Sequence, residues 1–360
     1  MEAVNINKTP EPEGLDENPL DFGNFPIDSL MIRTETRSVF EVCRRIDSNQ
    51  YIMDPDFQRQ FVWDLDRQSK LIESALLRIP LPVFYLAETS DGKVVVVDGL
   101  QRLTSFHRYS KDQFSLRELA FAKDLNGLRF RDLAPVLKNR LEDTPLTLYL
   151  IDSKVPDEAK YEIFERVNGG VPLTRQQMRN CLHVGEATRW LGRMADHIDF
   201  LTTTDRSLNW KTMRDRECIN RFAGFHLRGW KSYGGDMEDF LNETLKGMNA
   251  SCNFDRLSED FLKSMRINKT IFGKHAFRKS MSGGPARSVI NVALFDVFSS
   301  EFARWPESTA TERKREIRKA TIEMLSEEDF IESISRSTNS TRNVKTRFQF
   351  IEDHIRPLLQ

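Results

Sequence analysis

Val94-Val95-Val96-Val97-Asp98-Gly99-Leu100-Gln101-Arg102 is the stretch on which the fold turns. An apolar, β-branched run stops at Asp-Gly, and a polar segment carrying Gln and Arg follows. That order predicts a strand, a tight turn and a helix N-terminus within a few residues. The first amides of a helix have no acceptor inside it, and beside a fixed positive charge they suit a phosphate. The residues therefore point to a nucleotide handled here, although Asp-Gly also ends many strands as an ordinary turn.

Working outward, Val83 to Ala87 reads as a strand and Ser90-Asp91-Gly92 as the turn of a hairpin with Val94 to Val97. Gln101 onward reads as a helix with Leu103, Phe106 and Tyr109 inward. Upstream, Thr36 to Ser48 is expected to be helical, with Val39, Val42 and Ile46 on one face. A second helix carries Leu71, Ile72, Ala75, Leu76 and Ile79, with Asp66 as its expected cap and Pro80 as its stop. Leu146 to Ile151 reads as another strand. Residues 29–155 thus form an expected small α+β domain. Residues 1–28, interrupted by Pro10, Pro12, Pro19 and Pro26 and rich in acids, are expected to be a disordered or loosely docked arm.

From 156 to 360 the pattern is helical, and an all-helical domain is expected. Pro156 starts a helix whose inner face is Tyr161, Phe164 and Val167, and Asn168-Gly169-Gly170 stops it. Thr174 caps the next helix, through about His183. Ser282-Gly283-Gly284-Pro285 is the clearest later break.

The 360 residues contain 53 basic and 54 acidic side chains, a net charge of −1, so no global field draws the protein to nucleic acid. With 39% hydrophobic residues and 25 Phe there is ample material for a core. Cys43, Cys181, Cys218 and Cys252 are far apart, which argues against a zinc site and fits buried thiols in a reducing cytoplasm. No apolar run is long enough to span a bilayer.

Four motifs occur in order: Phe57-Gln58-Arg59-x-x-Val62-Trp63, Ile79-Pro80-Leu81-Pro82, Val97-Asp98-Gly99-Leu100-Gln101-Arg102-Leu103-Thr104, and Phe164-x-x-Val167-Asn168-Gly169-Gly170-Val171-x-Leu173-Thr174. Together they resemble the N-terminal domain of GmrSD-type, modification-dependent restriction endonucleases, of the ParB/sulfiredoxin-like superfamily. The resemblance covers roughly Ser29 to His183. It implies a ParB/sulfiredoxin-like fold whose loop after the motif strand holds nucleotide phosphates, with NTP hydrolysis serving DNA cleavage in phage defence. By that resemblance Asp98, Gly99, Gln101 and Arg102 form the phosphate end, and Arg59 approaches it.

Two departures bear on activity. The family motif commonly reads Asp-Gly-Gln-Gln-Arg, and here its third position is Leu100. Leucine can neither move a proton nor orient a water. Binding survives that change more readily than hydrolysis, for which Asp98 is the nearest remaining group. Secondly, relatives often carry a C-terminal HNH-like nuclease. After residue 200 only His226, His275 and His354 occur, widely separated, so cleavage would belong to the first domain or to a separate nuclease subunit.

The candidate roles follow. Asp98, Gln101 and Arg102 are the catalytic set: Arg102 neutralises phosphate, Gln101 donates a hydrogen bond, and Asp98 holds the turn or a Mg2+ ion. Arg59, Asp98, Gly99, Leu100, Gln101, Arg102 and Thr104 line the nucleotide. Thr104 either touches phosphate or back-bonds to the helix. Trp63 is expected to be a core anchor and His107 a packing residue.

No acid lies between Asp260 and Asp296, whereas Lys263, Arg266, Lys269, Lys274, Arg278, Lys279 and Arg287 do. Phe272 and Phe277 interleave with them. This stretch is either a DNA-phosphate surface or a face paired with acids elsewhere. The basic cluster from Arg313 to Lys319 reads as an ordinary exposed helix. The leading function is a nucleotide-binding NTPase of a DNA restriction or anti-phage system. The alternatives are a ParB-like nuclease cleaving DNA directly and a non-catalytic DNA- or partner-binding protein using nucleotide as a switch.

Overall fold

Four consecutive valines end a strand that is buried on both sides. Val94, Val95, Val96 and Val97 are each at most 7% exposed, as expected of a strand with both faces covered. A computed structural model of the chain describes residues 12–14, 31–53, 63–89, 92–156, 159, 160, 163, 174–282 and 286–359. Contacts divide it into two compact units, Leu20–Leu173 and Thr174–Gln360 together with Met1–Pro19.

The first unit is α+β. Its strands are β1 (Ile32–Ser38), β2 (Tyr51–Ile52), β3 (Phe84–Glu88), β4 (Val94–Asp98) and β5 (Pro145–Ile151), in the spatial order β1-β5-β3-β4-β2. β1/β5 and β3/β4 are antiparallel, while β3/β5 and β2/β4 are parallel. The expected hairpin is present: Thr89 N–H donates to the Lys93 carbonyl at 2.9 Å, and Gly92 N–H donates to Thr89 at 3.0 Å. The helices are α1 (Val39–Asp47), α2 (Leu65–Leu76), α3 (Leu100–Ser110) and α4 (Pro135–Glu142). Leu103, Phe106 and Tyr109 of α3 join Leu71, Ile72 and Leu76 of α2 and alternate residues of the strands in one core.

Three boundaries differ from the sequence expectation, the first being that α2 ends at Leu76, so that Ile79 lies beyond it, exposed, rather than on its apolar stripe. Thr36 to Ser38 are strand, because β1 extends to Ser38, whose side chain then caps α1 by accepting from Glu41 N–H. The cap of α2 is Asp64, which accepts from Arg67 N–H at 2.8 Å; Asp66 lies inside the first turn and pairs with Arg117 at 2.7 Å. Ala159, Lys160 and Ile163 are helical, as expected after Pro156, but Tyr161, Phe164, Val167 and Asn168-Gly169-Gly170 lie outside the described residues.

Glu73 of α2 ties the sheet layer to a loop. Its carboxylate accepts from Phe121 N–H at 2.7 Å, Ala122 N–H at 2.8 Å and Ala120 N–H at 3.3 Å. Burial works against its ionisation, but these amides outweigh it and hold the carboxyl below its ordinary 4.5.

The second unit is all-helical among the described residues: α5 (Arg175–Leu182), α6 (Glu186–Asp196), α7 (Ile198–Thr204), α8 (Arg214–Leu227), α9 (Met237–Ala250), α10 (Phe254–Phe272), α11 (Val292–Phe302), α12 (Glu307–Glu312), α13 (Lys314–Met324), α14 (Glu328–Ser335) and α15 (Thr341–His354). Thr174 caps α5 as expected, in a reciprocal box with Gln177. The core is rich in phenylalanine, with ring pairs such as Phe222–Phe261 and Phe277–Phe295 at 4.9 and 4.6 Å. The described part of the N-terminal arm is docked here. Glu13 exchanges backbone hydrogen bonds with Ile290 and Val292, at 2.8 and 2.9 Å.

A buried charge triad crosses this core. Asp296 of α11 accepts from Arg221 Nε and Nη2 at 2.8 and 2.6 Å and from Arg347 Nη2 at 2.9 Å, and all three side chains are at most 1% exposed. Removing one member of such a set strands the others. Asp296→Ala is expected to destabilise the helical unit by about 3–5 kcal/mol, read by urea unfolding. Glu73 supplies a pH test. With its folded pKa below 4.5, its contribution is complete at neutral pH, fades as pH falls below about 4.5 and is gone below the folded value. Glu73→Gln is expected to lower stability at pH 7 and to flatten this acid limb in thermal melts between pH 7 and 3.

Candidate functional site

Gly99 makes the turn that the strand, the helix and the aromatic floor all require. Its φ is +96°, and a Cβ there would sit 2.3 Å from Phe84 Cδ1. Any side chain therefore meets both a disfavoured backbone conformation and a ring. The turn aims the N-terminus of α3 out of the end of β4, and no side chain caps that terminus. Leu100, at its first position, is half-buried and packs on the α+β core.

Arg102 is placed differently from its expected role. Its Nη1 donates to the Pro82 carbonyl at 2.5 Å, and its Nη2 donates to the Val83 carbonyl at 3.1 Å and to Asp98 Oδ2 at 2.8 Å. The guanidinium lies 4.3 Å from the centroid of Phe84, and the side chain is 12% exposed. Burial lowers its pKa, against the opposing effect of Asp98. The expected phosphate-neutralising arginine is thus committed internally. It binds the Pro82–Val83 segment to the β4–α3 turn and compensates the charge of Asp98.

Gln101 is placed at the helix start, and its Oε1 accepts from Trp63 N–H at 3.4 Å. Gln68 Nε2 donates to the Trp63 carbonyl at 2.9 Å, and Arg108 donates to Gln68 Oε1 at 3.2 Å. Trp63 is therefore held at both backbone ends and packs, half-buried, on the core as expected. Gln68 and Arg108 are positioning residues that the sequence reading missed. The available signal was the seven-residue spacing of Gln101 and Arg108, which puts both on one face of α3. Arg59 lies outside the described residues.

The remaining candidates are quickly placed. The Thr104 hydroxyl makes no hydrogen bond among the described residues; back-bonding falls instead to Ser105, which donates to the Gln101 carbonyl at 2.7 Å. His107 is not a packing residue: its Nε2 lies 2.9 Å from Asp47 at the end of α1. Among the described residues no group of three or more His, Cys, Asp or Glu could hold a metal ion. Among the described residues Asp98 would offer a single carboxylate to a magnesium ion, a number that suits an ion held mainly by phosphate oxygens. A cleft of about 700 Å³ flanks the proline loop on α2 and α4, lined by Arg78, Ile79, Pro80, Leu81, Val136 and Arg140 among others; it includes none of Asp98 to Thr104.

Residues 39–184 match the family described as GmrSD restriction endonuclease, N-terminal domain. The chain carries a GmrSD N-terminal domain. The match runs from the first residue of α1 through α5 and contains the whole β4–α3 site. No curated protein and no solved structure matches the chain. No helix among the described residues is long and apolar enough to cross a membrane.

The basic stretch of the helical unit is not acid-free in three dimensions. Lys263 pairs with Asp260 at 3.1 Å, and Arg266 pairs with Asp199 and Glu307, each at 3.1 Å. Lys279 pairs with Glu13, Arg287 pairs with Asp205, and Lys269 donates to the Thr202 carbonyl at 2.8 Å. Arg278 is 1% exposed, donates to the Ala276 and Thr204 carbonyls and to Ser207, and has its pKa pushed down to about 10 by burial. It cannot reach a DNA phosphate, so its expected role is withdrawn. Phe272 and Phe277 are core residues.

The turn yields a direct test. Gly99→Ala is expected to lower domain stability by about 1–3 kcal/mol through backbone strain, beyond its clash with Phe84. In Gly99→Ala/Phe84→Leu, the relieved clash is expected to restore only part of the loss in a denaturant titration.

Proposed function

We propose that the GmrSD N-terminal domain binds a nucleoside triphosphate whose phosphate oxygens accept from the first amides of α3. The observation that carries this reading is the helix start itself. An eleven-residue helix begins on a positive-φ glycine with no side-chain cap, and such a terminus favours an anion through its amides and its dipole. In this reading Gly99 allows close backbone approach, and Gln101, steadied by Trp63, orients the phosphate end.

Arg102 acts as a positioning residue. By compensating Asp98 it removes a carboxylate charge that would otherwise repel phosphate at the helix start. It also holds the Pro82–Val83 loop in place. The cation facing the phosphates is then assigned to Arg59. Asp98 is the residue that would give a carboxylate oxygen to a magnesium–triphosphate complex, in which the ion neutralises polyphosphate charge. The reaction proposed is hydrolysis of the bound nucleotide in a DNA restriction setting, with any HNH-type cleavage supplied by a separate subunit.

A second reading has its own support: nucleotide as a switch without turnover. Leu100 cannot orient a water, and the Asp98 carboxylate, the nearest base, has one oxygen engaged by Arg102. Both features weaken hydrolysis more than binding.

A panel of ATP, GTP, CTP and UTP, followed for binding and phosphate release with and without DNA, tests these readings. At least one nucleotide is expected to bind. Arg59→Ala is expected to weaken binding, whereas Arg102→Ala is expected to lower both binding and the melting temperature. Leu100→Gln is expected to raise turnover. Tight binding without phosphate release selects the switch, binding of none of the four overturns the proposal, and plasmid cleavage without nucleotide would support a direct nuclease instead.

A further inference from the structure

Exposed apolar side chains of the α+β unit gather on one face. Seven large ones are exposed among its described residues, and four of them, Leu77, Ile79, Phe121 and Val136, belong to the end of α2, the start of α4 and the loop tied to α2. The bonds already described make them neighbours. Glu73 holds the amides of Ala120, Phe121 and Ala122, and Leu77 stands one helical turn further along the same side of α2. Two residues on, Ile79 lines the cleft of about 700 Å³ together with Val136. Phe121, 78% exposed, is therefore presented to water from a backbone fixed by a carboxylate. A contiguous apolar patch on a folded surface marks an interaction site. The face also carries charge of both signs. Arg78, Arg140 and Asp143 line the cleft, and none of the three has an ion pair among the described residues. Arg140 donates to the Leu76 carbonyl at 3.2 Å, while its Nε is buried with no hydrogen-bond partner among the described residues. Two of these residues are poor choices for their local structure. Arg78 closes α2 at φ +58°, with its own N–H bonded to Ala75 and that of Ile79 to Ser74, a position that glycine ordinarily takes. Asp143 caps the C-terminus of α4, where the helix dipole disfavours a carboxylate. Local rules are broken at functional positions more than elsewhere.

We propose that this face docks a second copy of the chain about a two-fold axis. Leu77, Ile79, Phe121 and Val136 pack on the same residues of the other copy, and Arg78 and Arg140 meet its Asp143. An interface of this kind requires a patch that complements itself, because the same surface is used on both sides. Apolar groups flanked by two cations and an anion satisfy that requirement. A uniformly acidic partner would be opposed by Asp143 and a uniformly basic one by the two arginines, whereas in a second copy each charge finds its opposite. Phe121 supplies the kind of exposed aromatic anchor on which binding energy concentrates. The face is separate from the proposed nucleotide site, since the cleft includes none of Asp98 to Thr104.

The test is sedimentation velocity of the full chain over a concentration series, without nucleotide. The parent is expected to pass from one chain per particle to two as concentration rises. Phe121→Ser/Val136→Ser, which changes only exposed side chains, is expected to weaken self-association at least about tenfold, with the melting curve at low concentration unchanged. Arg78→Gly relieves the backbone and is expected to weaken association while keeping or raising the melting temperature. Arg78→Asp and Asp143→Arg are each expected to remain single chains. Their equimolar mixture is expected to associate, because one copy then carries only acids and the other only bases at positions 78 and 143. A parent that stays a single chain at every concentration, a dimer indifferent to both the Phe121/Val136 and the Arg78 changes, or a mixture no more associated than its components would each overturn the proposal.

Discussion

One guanidinium organises the α+β domain's candidate site. Arg102 reaches from the third position of α3 to two carbonyls some twenty residues earlier, to the carboxylate that ends β4, and over the face of Phe84. A buried charge is tolerated only when it is paired and its donors are satisfied, and here all three partners belong to elements that must meet for the turn to exist. The same ring that Arg102 covers is the one that leaves no room for a Cβ at Gly99. The glycine, the ring and the cation are thus mutually dependent, and the uncapped helix start is what their agreement produces.

The helical unit uses charge in a related way. Asp296 between Arg221 and Arg347 places ionic groups where an apolar core would otherwise be continuous, and the half-buried Glu238 pairs with the buried Arg179 and with Arg175 nearer the surface. Such pairs add little net stability over well-packed apolar side chains, but breaking one is costly. A chain with 30% charged residues therefore need not present a charged exterior everywhere.

What was legible in the sequence was whatever local pattern decides. The β3–β4 hairpin and α3 followed from an apolar run, Asp-Gly and a helical apolar stripe. The cap at Thr174 followed from its spacing to Gln177. β1 was illegible because Arg33, Glu35 and Arg37 alternate with threonines, giving an edge strand no apolar face; pairing with β5 and ion pairs to Glu88, Glu41 and Asp152 define it instead. Nothing in the residues around Arg102 marks the Pro82 and Val83 carbonyls as its acceptors, because only the fold brings them to it. The stretch from Lys263 to Arg287 suggested a DNA surface because its neutralising acids, Glu13, Asp199, Asp205 and Glu307, come from distant parts of the chain.

The pairing of Glu13 with Ile290 and Val292 gives the chain an unusual order of assembly. The helical unit is built from two separate pieces of sequence, with the α+β domain inserted between them. As a ribosome extrudes the polypeptide, the sheet from residue 32 to 151 can close while the partners of Glu13 have yet to be synthesised. That strand-like clasp spans nearly 280 residues, a loop whose closure is entropically slow. Glu13 thus waits through the synthesis of nearly 280 further residues before its backbone partners exist.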